Sequence, residues 1–223
     1  MTEGKSFDLK RHIRSTAFVA LLLVIVAAFG AIFIYMGIYN IGADAPHWRW
    51  VYNTLDSLRE HSIASYSKDI KPPADLNDPK RISAGAGLYN EMCTGCHLGP
   101  GLEKSEMSQG LYPPAPELAK GNDHTPAQMF WIIKHGVKLS AMPAWGKTHD
   151  DQLIWDMVAF LRQLPKMSPE QYKAAVASAP ADHDEMMKEM MPGMSGGDEA
   201  HDTAAAPHSH GDEKAGHSHA HTH

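Results

Sequence analysis

Cysteine is almost missing from this chain of 223 residues: there are two, both inside "NEMCTGCHLGPG", as Cys93 and Cys96 with His97 directly after. That scarcity excludes a disulfide framework. A structural zinc site would need two further ligands, and His124, His135 and His149 stand singly rather than as a second pair. Strand signals are missing as well. Residues 80–165 contain no alternating apolar and polar run and no hairpin turn, which argues against a thioredoxin-like dithiol and predicts an all-α domain.

Charge is missing from residues 15–43. Within them Ala17–Tyr39, "AFVALLLVIVAAFGAIFIYMGIY", is an apolar run long enough for roughly 35 Å of helix, against a hydrocarbon core of about 30 Å. A cleavable signal has an apolar core of only about 7–15 residues, and the one A-x-A pattern, Ala43–Ala45, is followed by Pro46, a poor scissile bond. The segment therefore reads as a retained anchor. Lys5, Lys10, Arg11 and Arg14 precede it, whereas Arg49 follows it alone among Trp48, Trp50 and Tyr52. By the positive-inside bias residues 1–14 are cytoplasmic, and all that follows residue 43 is expected in the periplasm, outside the cytoplasmic (inner) membrane. Thiols in that oxidising space normally pair or react, so the C-x-x-C needs a use.

Residues 44–79 read as a stalk, with a helix around Trp50–Tyr66 and then the proline-rich "KPPADLNDP". Residues 80–165 carry the dense helix signals. A first helix is expected from about Pro79 to Met92. A second follows Thr125, with Pro126 at its first position, Gln128 completing a capping box and Gly136 as its stop. A third is expected after a box of Thr148 and Asp151, with Leu153, Met157, Leu161 and Leu164 as its stripe and Pro165 as its end. Residues 166–223 lack Trp, Phe, Leu and Ile and hold eight of the fifteen histidines. Such a segment cannot bury enough apolar surface to fold alone and is expected to be a disordered tail.

The remaining use of C-x-x-C-H is covalent haem attachment: two thiols add across two vinyl groups as thioethers, and the adjacent imidazole reaches the iron. This accounts for both cysteines in an exported helical domain. The second axial position then decides function, because a His/Met pair suits electron transfer and an open site suits gas binding. Met92, Met107, Met129, Met142 and Met157 are the domain's candidates. Met129 and Met157 sit on helix faces, as core residues do; Met92 adjoins Cys93; Met107 lies in a polar loop near His97. Met142 stands in "KLSAMPAWG", a loop between two helices, stiffened by Pro143 and backed by Trp145, and is the expected distal ligand. Trp131 and Trp145 are candidates to wall the haem, while His61, His124, His135 and His149 read as surface groups.

"GLYNEMCTGCH", "LYPPAPEL", "AMPAWG" and a final helix with Trp155 and Phe160 together resemble the monohaem class I c-type cytochromes, in particular membrane-anchored carriers and the cytochrome subunits of bacterial oxidases and dehydrogenases. The resemblance covers about 80–165. It implies one haem c bound by Cys93 and Cys96, with His97 proximal and Met142 distal as the axial ligands of the iron. It implies a close crossing of the first and last helices, at Gly85 or Gly87 against an aromatic residue. It also implies a loop proline carbonyl accepting the proton on Nδ1 of His97: Pro116, with Pro113 and Pro114 as rivals.

In the tail, methionines at 186, 187, 190, 191 and 194 and the run "HSHAHTH" predict binding of copper or another divalent metal. The expected function is a membrane-tethered periplasmic one-electron carrier that makes and breaks no bonds itself. Its expected redox partners are an oxidase, a quinol-oxidising complex or a dehydrogenase, and no nucleic acid. The alternatives are a copper-handling protein using that tail and a haem gas or redox sensor.

Overall fold

The structure, a computed structural model, describes residues 9–180. Among the described residues eight α-helices run in order: α1 Leu9–Tyr35, α2 Arg49–Ser67, α3 Pro79–Met92, α4 Thr94–His97, α5 Glu106–Gln109, α6 Pro126–His135, α7 Asp151–Leu161 and α8 Pro169–Ala177. No strand occurs among the described residues.

The C-terminal part of α1, Thr16–Tyr35, is 20 residues long and has none of its apolar window buried against protein. At 1.5 Å per residue it is about 30 Å long, so it fits a membrane anchor. The helix stops short of the expected Tyr39, because Gly37 adopts φ +61° and turns the chain. Beyond the turn, Trp48 meets Phe33 and Tyr39 edge-on, with ring centroids 6.1 and 5.0 Å apart. The Tyr112 hydroxyl accepts a 2.8 Å hydrogen bond from the His47 backbone N–H, tying this aromatic knot to the loop between α5 and α6.

Residues 44–79 are not merely a stalk. Helix α2 lies against α6, with Ile63 only 2% exposed and Tyr66 stacked on Trp131 at 5.9 Å. Its inward stripe is Leu55/Asp56, Arg59/Glu60, Ile63 and Ser67. The spacing is helical, but half the stripe is charged, so apolar periodicity alone does not mark it as inward.

Asp78 caps α3, its carboxylate accepting from the Lys80 N–H, and Pro79 takes the first position, where no N–H is needed. Thr125 and Gln128 form the expected capping box of α6. For α7 the cap is Asp150, accepting from Leu153 N, and not Thr148. Thr148 instead pairs its hydroxyl with His149 Nδ1 at 2.8 Å, so the cap falls two residues later than expected and is a single side-chain bond, not the expected box. The stripe itself is core: Leu153, Met157, Leu161 and Leu164 are all buried, joined by Ile154, Val158 and Phe160.

Helices α3 and α7 cross at Gly85. A Cβ built there would lie 2.0 Å from the Asp156 carbonyl oxygen and 2.8 Å from Phe160 Cβ, so only glycine permits this approach. Tyr89 packs on Phe160 at 5.5 Å and donates its hydroxyl to the Leu98 carbonyl at 2.6 Å. Arg81 bridges Asp75 (2.9 Å) and Asp156 (2.5 Å) beside the crossing.

The helical domain continues past residue 165, where a tail was expected to begin. Ser168 and Gln171 form a capping box for α8, whose Tyr172 is 3% exposed and donates to Asn90 Oδ1 at 3.1 Å. Ser83 Oγ also donates to the Ser178 carbonyl at 3.1 Å, so a nine-residue helix that composition alone assigns to the tail is held on α3. The methionine and histidine clusters with their expected copper site lie at 183–223, outside the described residues.

Candidate functional site: a haem-attachment cavity

Cys93 ends α3 and begins the single turn α4. Its carbonyl accepts from Cys96 N at 3.1 Å and from His97 N at 2.8 Å. The three side chains therefore stand at i, i+3 and i+4 of one helical turn and share a face, the geometry that two thioethers and one axial imidazole on a single macrocycle require. The two sulfurs are not joined to each other. Leu98 closes the turn with φ +59°, unusual for a leucine, and is held there by burial of its side chain (7% exposed) and by the Tyr89 hydroxyl on its carbonyl.

His97 Nδ1 lies 2.9 Å from the Pro116 carbonyl oxygen. A carbonyl only accepts, so Nδ1 carries the proton and Nε2 keeps its lone pair for a metal. Burial pushes the His97 pKa below its ordinary value, against the opposing pull of this hydrogen bond, which also favours the neutral ligand form. Burial, and then the neighbouring Cys96, push the Cys93 thiol up to about 12.

Both cysteines and His97 open on a cavity of about 610 Å³, within the range of cofactor sites. The lining brings Pro116 and Met142 to the same space, along with Met92, Met129, Ile132, Ile133, Val137, Leu111, Leu118 and Trp145. Apolar walls, two thiols, an imidazole with its lone pair free and a thioether suit a covalently bound haem: the macrocycle is apolar, and iron accepts both donor types.

The Met142 loop is held by the end of α6. Gly136, at φ +65°, ends the helix, and a Cβ there would lie 2.6 Å from the Met142 carbonyl oxygen and the Pro143 carbonyl carbon. Val137 N donates to that Met142 oxygen at 3.2 Å, and Ser140 Oγ accepts from Met142 N at 3.2 Å. Gly136, legible in sequence only as a helix stop, thus also seats the loop.

The other methionines divide. Met157 is core at 1% exposed, and Met107 is 61% exposed, with its sulfur 3.4 Å from Cys96 Sγ. Of the candidate tryptophans, Trp145 lines the cavity while Trp131 is engaged by Tyr66 outside it. His149 is not a surface group: it is 6% exposed and edge-on to Trp145. His124 lines the cavity and meets Glu60 at 3.2 Å. Missed from sequence are Tyr52, Arg59, Glu60 and Ile63, by which α2 closes one side of the cavity.

A helical domain in which a C-x-x-C-H turn opens on an apolar cavity, with a thioether among its lining groups, is a c-type cytochrome domain, here preceded by an apolar N-terminal helix. The comparison with known families agrees: residues 80–161 match the family described as cytochrome C oxidase, cbb3-type, subunit III. No curated protein and no solved structure matches the chain. A domain of this kind carries haem c covalently and transfers electrons through it.

Proposed function

We propose that the protein is a membrane-tethered one-electron carrier on the periplasmic face of the cytoplasmic membrane, acting alone or as the cytochrome subunit of an oxidoreductase complex. Cys93 and Cys96 would hold the haem through thioethers, and His97 and Met142 would be the axial ligands. When bound, the group would supply one-electron redox chemistry. The chain's own residues keep that chemistry cheap in reorganisation: Pro116 fixes the His97 tautomer, the Gly136 turn fixes the Met142 loop, and apolar walls exclude water. Donors are a quinol-oxidising complex or a dehydrogenase, and the acceptor is a terminal oxidase, in keeping with the oxidase description of the matched family. The observation that carries the reading is the single cavity lined by Cys93, Cys96, His97 and Met142.

Membranes containing the protein test it. Addition of a respiratory substrate should reduce the haem, and oxygen should reoxidise it unless the oxidase is inhibited. A haem that stays oxidised while the rest of the respiratory chain turns over would refute the carrier reading.

A further inference from the structure

The charged groups lining the cavity outside the attachment turn are gathered at one rim. Arg59 and Glu60 come from α2, and Asp123 and His124 from the loop before α6. They are linked: Arg59 Nε donates to one oxygen of Glu60 at 3.1 Å, and the other oxygen of Glu60 lies 3.2 Å from His124 Nε2. Asp56 holds a terminal nitrogen of the same guanidinium. Away from this rim and the attachment turn the lining is mainly apolar.

The haem expected here has an apolar macrocycle and two propionate carboxylates. Carboxylates leaving water need cationic or hydrogen-bonding partners, and a guanidinium is the best match for their planar geometry. Among the described residues Arg59 is the only lysine or arginine lining the cavity. Its five N–H donors exceed the bonds to Asp56 and Glu60, which hold it at the rim. Glu60 and Asp123 at the same rim would repel a propionate unless a cation stood with them.

We infer that Arg59 is a haem-binding residue: its guanidinium meets a haem propionate, and α2 is thereby a working part of the haem site. This rests on the haem c reading above. Helix α2 precedes the residues matched by the family, 80–161, so the contact belongs to this chain's own extension between membrane anchor and domain. Neutralising a propionate near the iron favours the ferrous state, so Arg59 raises the midpoint potential.

The test uses the full-length, detergent-purified holoprotein. In Arg59→Gln, covalent haem content and the low-spin spectrum should equal the parent's, the midpoint potential should shift negative, and the propionate bending modes in the resonance Raman spectrum should move. Arg59→Lys keeps the charge but loses the fork, so it should restore most of the potential while the propionate modes still differ. An unchanged potential and unchanged propionate modes in Arg59→Gln would overturn the inference. If that variant does not accumulate, Arg59→Lys decides alone: propionate modes identical to the parent's overturn it. Parent protein without covalent haem would instead defeat the haem reading itself, a separate result.

Discussion

At the scale of single residues, the attachment turn and the distal loop make separate demands. Cys93→Ala or Cys96→Ala should leave one thioether at most and remove most of the holoprotein; mass spectrometry of the purified chain checks this, and a normal yield of doubly linked haem would contradict it. Met142→Ala leaves both thiols and His97 untouched, so haem should stay attached. The iron should then become five-coordinate or take water, the potential should fall, and carbon monoxide should bind readily. Met107→Ala should keep the low-spin spectrum, since that side chain is 61% exposed beside Cys96. If the two variants exchange behaviours, the distal ligand lies in the earlier loop.

At the scale of elements, the α3–α7 crossing governs stability. Gly85→Ala puts a methyl group into the Asp156 carbonyl, a backbone atom that cannot step aside, and should destabilise the fold by ~1–3 kcal/mol or more in thermal unfolding. Gly87→Ala should cost less, because its nearest neighbour is the Ala179 side chain at 3.1 Å. Asp156 lies beside the crossing at 5% exposed, and burial, opposed by Arg81, pushes its pKa up to about 6. The folded state thus binds its proton more tightly than the unfolded chain, where an aspartate titrates near ~3.9. Its favourable contribution is full below that value and is lost as pH rises through about 6. Denaturation at pH 4 and pH 7 should therefore show the parent losing stability relative to Asp156→Asn as pH rises; a constant difference would contradict the assignment. The bounds of α3, the capping box of α6 and the apolar stripe of α7 were legible in sequence because these signals are short-range. For α2 the helix was legible but its place against the domain was not, because its inward stripe includes Asp56, Arg59 and Glu60. Helix α8 was not expected, and buried Tyr172 with the contacts of Ser83 to Ser178 and Gly101 to Pro169 joins it to the domain.

At the scale of the whole molecule, the candidate site was legible where chemistry is dense in sequence. Cys93, Cys96 and His97 are adjacent, and Met142 stands in a loop between marked helices. The cavity wall from α2 was hidden because it depends on how a distant helix packs. The anchor is separable from that wall, since α2 begins at Arg49. Replacing residues 1–42 with a cleavable signal should yield a soluble, red periplasmic protein, checked by fractionation; haem that remains in the membrane fraction would mean that a partner subunit holds the domain there. The central claim, one covalently bound haem ligated by His97 and Met142, is tested most directly by the absorption spectrum of the purified protein with and without carbon monoxide. The account predicts a low-spin ferrous spectrum that carbon monoxide leaves unchanged, with the weak ferric band of a thioether ligand in the far red. A protein without haem, or a ferrous haem that binds carbon monoxide at once, would contradict it.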